Sequence, residues 1–182
     1  NAPGSAPHER AKGFLEKGAR GEVLICSTTT ERGNDNLHPL SEAFAHPDGW
    51  RINGTKHFVT MSPLATHIAT NVRVRDADGD HITNVLLPMA TPGVHQHDNW
   101  DALGMRASGS QSITFNDCLV PHDALRRIGP WGQWSIPVLV NRTLANVPLV
   151  GAFLGLAEAA YDYALDHQRK AEGAASRSGV LH

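Results

Sequence analysis

Between Gly21 and Arg126, apolar residues recur at every second position in short runs, and a turn signal interrupts them about every ten residues. This pattern belongs to strands joined by tight turns and not to helices. Eight runs qualify: EVLICST, LSEAFAH, WRING, KHFVT, HIATNVRVR, HITNVLLPM, VHQHDNW and SQSITFNDCLVP. Asp48-Gly49, Asn53-Gly54, Asp78-Gly79 and Pro92-Gly93 punctuate them, and such pairs accept the positive φ of two-residue loops. Strands so connected predict an antiparallel barrel or sandwich, because such a sheet must close or be covered to remove its edges.

From Pro130 the period becomes helical. VPLVGAFLGLAEAAYDYALDHQRKAE places Val150, Phe153, Ala157, Ala160, Tyr161 and Ala164 on one stripe, and Gly151 and Gly155 let another helix approach closely. One amphipathic helix cannot cover its own apolar face, so the stripe predicts the start of a helical bundle whose remainder lies beyond this chain. HERAKGFLEKGAR predicts a short helix before the strands, and GAASRSGVLH a loop or tail after Glu172. The fold class is thus α+β. Residues 1–20 end a helical domain or linker, 21–126 form the β-domain, and 127–182 open the helical domain.

Several partner classes are disfavoured. A formal net charge of −2 argues against nucleic acid and anionic membranes. No apolar run is expected to approach a bilayer span, and NAPGSAPHER lacks the apolar centre of a secretory leader. Cys26 and Cys118 are far apart in apolar, strand-like contexts, which predicts buried reduced thiols and a cytoplasmic protein. His95 and His97 share one strand face without an evident third ligand, so no metal site is expected. GMRASGS lacks the spacing of a phosphate-binding loop.

DGWRINGTKHFVTMSP, residues 48–63, leaves a question. A hairpin requires its Asp-Gly and Asn-Gly pairs but not Phe58 or Thr60. Phe58 either packs in the core or offers a flat apolar wall, and Thr60 either ends a strand or holds a ligand. GEVLICSTTTERG, GWRINGTKHFVT, TPGVHQHDNWDALGMRASGSQSITFNDCLVP and FLGLAEAAYDYAL occur together in one family, in this order. Over residues 9–170 the chain resembles the acyl-CoA dehydrogenase superfamily.

The resemblance implies an antiparallel β-barrel middle domain followed by the first bundle helix, with FAD as cofactor. It implies that Phe58, Val59 and Thr60 lie against the isoalloxazine ring. Thr29, Thr30 and Glu31, followed by a turn through Gly33, Asn34 and Asp35 that is shorter than the family's, would hold the pyrimidine end and the pyrophosphate. Asn34 and Arg142 are the substrate-side candidates, and Arg106, Ser108 and Ser110 are structural or cofactor-adjacent.

The implied reaction is α,β-dehydrogenation of an acyl-CoA, with an electron-acceptor flavoprotein as partner and a homo-oligomer as the assembly. The early-helix position of the family's base falls near Ala145, with Asn141 a turn before, and neither accepts a proton. Glu158 and Asp162 fit the solvated face, so the base is expected outside the chain. The Arg-x-x-Phe segment that contacts FAD across the family's subunit interface is replaced by AEGA. Two alternatives remain: a two-component flavin-dependent monooxygenase on the same fold, and a non-catalytic β-barrel binding or assembly module.

Overall fold

The computed structural model describes residues 6–178, in two compact units divided along the chain between Ser135 and Ile136. In the first unit a helix, α1 (Ala6–Ala19), precedes eight strands: β1 (Ile25–Thr28), β2 (Glu42–His46), β3 (Gly49–Val59), β4 (His67–Asp76), β5 (Gly79–Pro88), β6 (Val94–Gln96), β7 (Gln111–Val120) and β8 (Leu125–Pro130). The second unit is one helix, α2 (Ile136–Ser178), with Pro148 inside it. It continues through Gly173, where a tail was expected, and residues 179–182 of that expected tail lie outside the described residues.

The antiparallel barrel is corrected. The strands form one open mixed sheet in the order β6-β7-β3-β2-β4-β5-β8, with β1 beside β4. Both β1 and β2 run parallel to β4. They share one edge of it: β1 pairs along His67–Thr70, and β2 only at Arg73 and Val74. The long connection from Thr29 to Ser41 leaves the sheet where these two strands part.

Asn53-Gly54 is not a turn. WRING and KHFVT are one strand of 11 residues, β3, and Gly54 takes φ +146 inside it. Ile52 and Gly54 pair with Cys118 and Phe115, so β7 carries an extra residue there. Asp117 adopts φ +55, and its N–H donates to Asn53 Oδ1 at 2.9 Å. This β-bulge uses the residue types that a tight turn would use. β8 was not anticipated. It pairs antiparallel with β5 as an edge strand, and Arg126 and Arg127 erase the alternation that would have marked it.

The core contains Ile52, Val59, Ile68, Val72, Val85, Leu87, Ile113, Phe115 and Cys118, all at most 2 % exposed. Both cysteines are free and buried, and burial pushes the Cys26 thiol up to about 11. Along α2, Leu144, Phe153, Leu154 and Tyr161 are exposed. Its stretch Ile136–Gly173 reaches a mean hydropathy of 1.4 in one window, enough by length and composition to cross a membrane. That corrects the expectation that no run approaches this length, although the helices of a buried bundle meet the same criterion.

Candidate functional site

The largest fully buried side chain is Lys56. Alternation along β3 turns it inward, where its Nζ donates to Glu31 Oε1 at 2.8 Å and to Asn71 O at 2.6 Å. Glu31 accepts from every side. Leu40 N–H donates to Oε2 at 2.5 Å, Asn34 Nδ2 to the same oxygen at 2.9 Å, and Ser41 N–H to Oε1 at 2.7 Å, while the Ser41 hydroxyl also donates to Oε1. One buried ion pair therefore ties both ends of the 29–41 loop to the sheet. Gly54 makes this possible, because a Cβ there would lie 2.1 Å from Ser41 Oγ.

Burial alone would raise the Glu31 carboxyl. The Lys56 charge and hydrogen bond, the Ser41 hydroxyl and the Leu40 N–H outweigh it and hold the group below its usual 4.5. Burial lowers Lys56, and Glu31 offsets this only in part. A carboxyl lowered on folding stabilises the fold above its unfolded value and loses that contribution as pH falls through the folded one. The urea midpoint is therefore expected to decline as pH drops below 4.5. In the Glu31→Gln/Lys56→Met double variant that decline should be shallower.

The same loop presents Thr30. Its N–H donates to Thr28 Oγ1 at 3.2 Å, and its carbonyl accepts from His57 N–H at 2.9 Å. A second bulge follows immediately on β3: Lys56 pairs with Ile113 and Val59 with Gln111, leaving one extra residue on β3. Phe58 sits in this bulge at φ +55, a conformation costly for an aromatic residue. The bulge turns its ring outward, to 60 % exposure, which decides against a place in the core. Trp100 meets that ring edge-on at 6.1 Å between centroids. Strain is concentrated nearby, with Met61 at φ +65 and Met105 at φ +52.

Thr30, Phe58, Trp100 and Arg32 line one groove of about 300 Å³, together with His57, Asn99, Ser110 and Ser112. Its polar wall is held firmly. Asn99 Nδ2 donates to Ser112 Oγ at 3.0 Å and Asn99 Oδ1 accepts from Ser112 N–H at 3.0 Å. His57 Nδ1 lies 2.9 Å from the same hydroxyl. Thr60 reaches this wall through Ser110, with its Oγ1 2.9 Å from Ser110 Oγ.

The sequence candidates fall into three groups. Thr30 and Phe58 face the groove, and Thr60 borders it. Glu31 also lines the groove, and Thr29 and Asn34 support it from within: Thr29 Oγ1 bonds Asn36, and Asn34 Nδ2 reaches Thr29 O at 3.3 Å. Val59 is fully buried in the core, so only its backbone is near the groove. Arg142 lies on α2, in the second unit, and the side chain of Asn141 is outside the described residues. His57, Asn99, Trp100 and Ser112 were missed. Ser112 follows two residues after the candidate Ser110, a spacing that could have found it, whereas Asn99 and Trp100 carry no such signal. Among the described residues no group of three or more His, Cys, Asp or Glu could hold a metal.

A tricyclic redox ring needs a flat apolar wall and small hydroxyl partners at its edge. Phe58 with Trp100 supplies the wall, Thr30 and Thr60 the hydroxyls, and Arg32 a cation for phosphate. The donor set fits a flavin.

The family model for the acyl-CoA dehydrogenase middle domain matches residues 25–118. L-evernosamine nitrososynthase from Micromonospora sp. is 35 % identical over 159 residues, which cover 85 % of this chain and 36 % of that protein. The human mitochondrial short-chain specific acyl-CoA dehydrogenase is 28 % identical over 164 residues, 87 % of this chain and 39 % of its own length. The structure of KijD3 in complex with FMN and dTDP-3-amino-2,3,6-trideoxy-4-keto-3-methyl-D-glucose superimposes with a TM-score of 0.73 at 32 % identity, over 89 % of this chain and 40 % of KijD3. The chain thus spans well under half the length of these relatives, while the matches cover most of the chain itself. On the family match across its sheet, the chain belongs to the acyl-CoA dehydrogenase family of flavoproteins.

Proposed function

We propose that this chain forms the flavin-facing wall of a flavin-dependent monooxygenase that oxidises the amine of a nucleotide-linked amino sugar. The observation that carries the flavin part is the shared groove of Thr30 and Phe58, which are 28 positions apart in sequence. Support for the reaction class comes from relatives that act on amino sugars at 32–35 % identity, against 28–30 % for short-chain acyl-CoA dehydrogenases. FAD is the cofactor implied by the family; a relative carries FMN, which has the same ring.

When bound and reduced, a flavin activates oxygen for transfer to an amine. The chain's own residues bind and orient it. Phe58 and Trp100 would cover one face, Thr30 and Thr60 would bond its edge, and Arg32 would attract phosphate. Acyl-CoA dehydrogenation is the second reading, favoured by the family match and by the human relative.

The full-length protein separates them. With reduced flavin and labelled dioxygen, a dTDP-linked amino sugar should acquire the label at nitrogen, and butyryl-CoA should leave bound oxidised flavin coloured under anaerobic conditions. Bleaching by butyryl-CoA, without label in the sugar, would establish the dehydrogenase reading instead.

Phe58 also allows stability and binding to be separated. Phe58→Gly relieves about 1 kcal/mol of left-handed strain and sacrifices little packing, since the ring is 60 % exposed. The urea midpoint should hold or rise, while flavin affinity measured by fluorescence quenching falls at least about tenfold.

A further inference from the structure

Three hydroxyls stand in line where β3 and β7 end. Past the last paired residues, Val59 and Gln111, the chain continues as Thr60 on one side and Ser110 on the other. Both segments tighten at once: Thr60 N–H donates to Phe58 O at 3.0 Å, and Gln111 N–H to Gly109 O at 2.9 Å. These tight turns bring Thr60 Oγ1 to 2.9 Å from Ser110 Oγ, and Ser110 Oγ lies 2.7 Å from Ser108 Oγ. Met61 N–H closes the arrangement by donating to Ser108 O at 2.8 Å. Ser110, in the middle, is 6 % exposed, whereas Thr60 is exposed.

Each hydroxyl has one proton and can accept through its lone pairs. A row of three makes two links and leaves one proton over, at one end or the other. If Ser108 donates to Ser110 and Ser110 to Thr60, then Thr60 offers its own proton outward. If the row runs the other way, Thr60 donates inward and turns a lone pair outward. The two senses differ only by rotation of hydroxyls, and no proton is gained or lost.

We propose that Ser110 is a positioning residue that lets Thr60 present either a donor or an acceptor to the flavin ring. The proposal rests on the flavin reading above, in which Thr60 bonds the edge of the ring, and takes the ring atom it meets there to be N5. That ring atom accepts a hydrogen bond when oxidised and carries a proton to donate when reduced. A lone threonine hydroxyl at a groove edge would rotate freely among solvent partners. Backed by a buried serine that can itself accept or donate, it is held toward the ring in both states, and each link polarises the next. Ser108 completes the row at its half-buried end, where the remaining proton resides in the reversed sense.

The test uses the full-length protein loaded with ¹⁵N-enriched flavin and reads the nitrogen resonances in both redox states. Ser110→Ala should move N5 in the oxidised and the reduced form, in the direction that Thr60→Ala moves it, leaving N1 and N3 in place. On a Thr60→Ala background it should add nothing. Ser110→Thr should restore the wild-type position, and flavin affinity in Ser110→Ala should change less than about tenfold. If Ser110→Ala does not fold, Ser110→Cys, of similar size with a weak donor, is read in its place, with a smaller displacement of N5 expected. An N5 resonance unmoved in a flavin-loaded variant, or equal movement at N1 and N3, overturns the proposal alone. A full-length protein that carries no flavin overturns it together with the reading on which it rests.

Discussion

Lys56→Met is expected to destabilise the protein by about 3–5 kcal/mol, the cost of stranding a buried charge whose partner has been removed. The Glu31 side chain is 3 % exposed and that of Lys56 is fully buried, so water cannot replace the lost ammonium. Four donors from Asn34, Leu40 and Ser41 remain on the carboxylate, but none carries a charge. Urea unfolding checks this, read as a fall in midpoint at constant slope. Adding Glu31→Gln should recover a large part of the loss, because a neutral amide in the same place requires no counter-charge. A loss below about 1 kcal/mol in Lys56→Met would show the pair to be solvated. The functional consequence is that, without the pair, the 29–41 segment loses its buried tie to Lys56 on β3, while Thr30 keeps its backbone bond from His57.

Gly54→Ala is expected to cost about 2–4 kcal/mol, from overpacking and from a backbone conformation that side chains rarely adopt. The added Cβ would fall 2.1 Å from Ser41 Oγ and 2.7 Å from Ser41 Cα, and φ there is +146. A serine hydroxyl alone could rotate away, but the Cα cannot yield without moving the start of β2. Ser41 is also the residue whose N–H and hydroxyl hold Glu31, so the two largest effects converge on one carboxylate. Thermal unfolding reads the loss. A variant as stable as the parent would mean that Ser41 does not approach β3 this closely. Gly33→Ala is the matched control: it has φ +82 with nothing within 4 Å of its Cβ, so it carries the strain without the clash.

Much of the fold was legible because periodicity reports on local geometry. The alternating runs became strands, and the change of period near Pro130 marked the helix. Alternation is silent on strand direction, and β1 finds its parallel partner 42 positions on, at Ile25 with His67, so the mixed sheet could not be anticipated. Asn53-Gly54 was misleading for a related reason: a tight turn and a bulge ask the same of the backbone, and only the partner strand distinguishes them. Lys56 was invisible as a core residue, since an inward lysine is tolerable only with its carboxylate in place. At the groove, Phe58 and Thr60 were legible through their unexplained presence at a strand end. Trp100 and Asn99 come from an irregular loop whose position is set by its bonds to Gln111 and Ser112. Val59 shows the limit of reading a motif as a unit, because the bulge that turns Phe58 outward leaves its neighbour fully buried.

The groove as a flavin site is the claim from which the rest follows, and a crystal structure of the full-length protein grown with FAD addresses it directly. The account predicts the isoalloxazine ring stacked against Phe58, with Thr60 and Thr30 within hydrogen-bonding reach of its edge. Density for the ring elsewhere on the molecule, with this groove filled only by solvent, would contradict it.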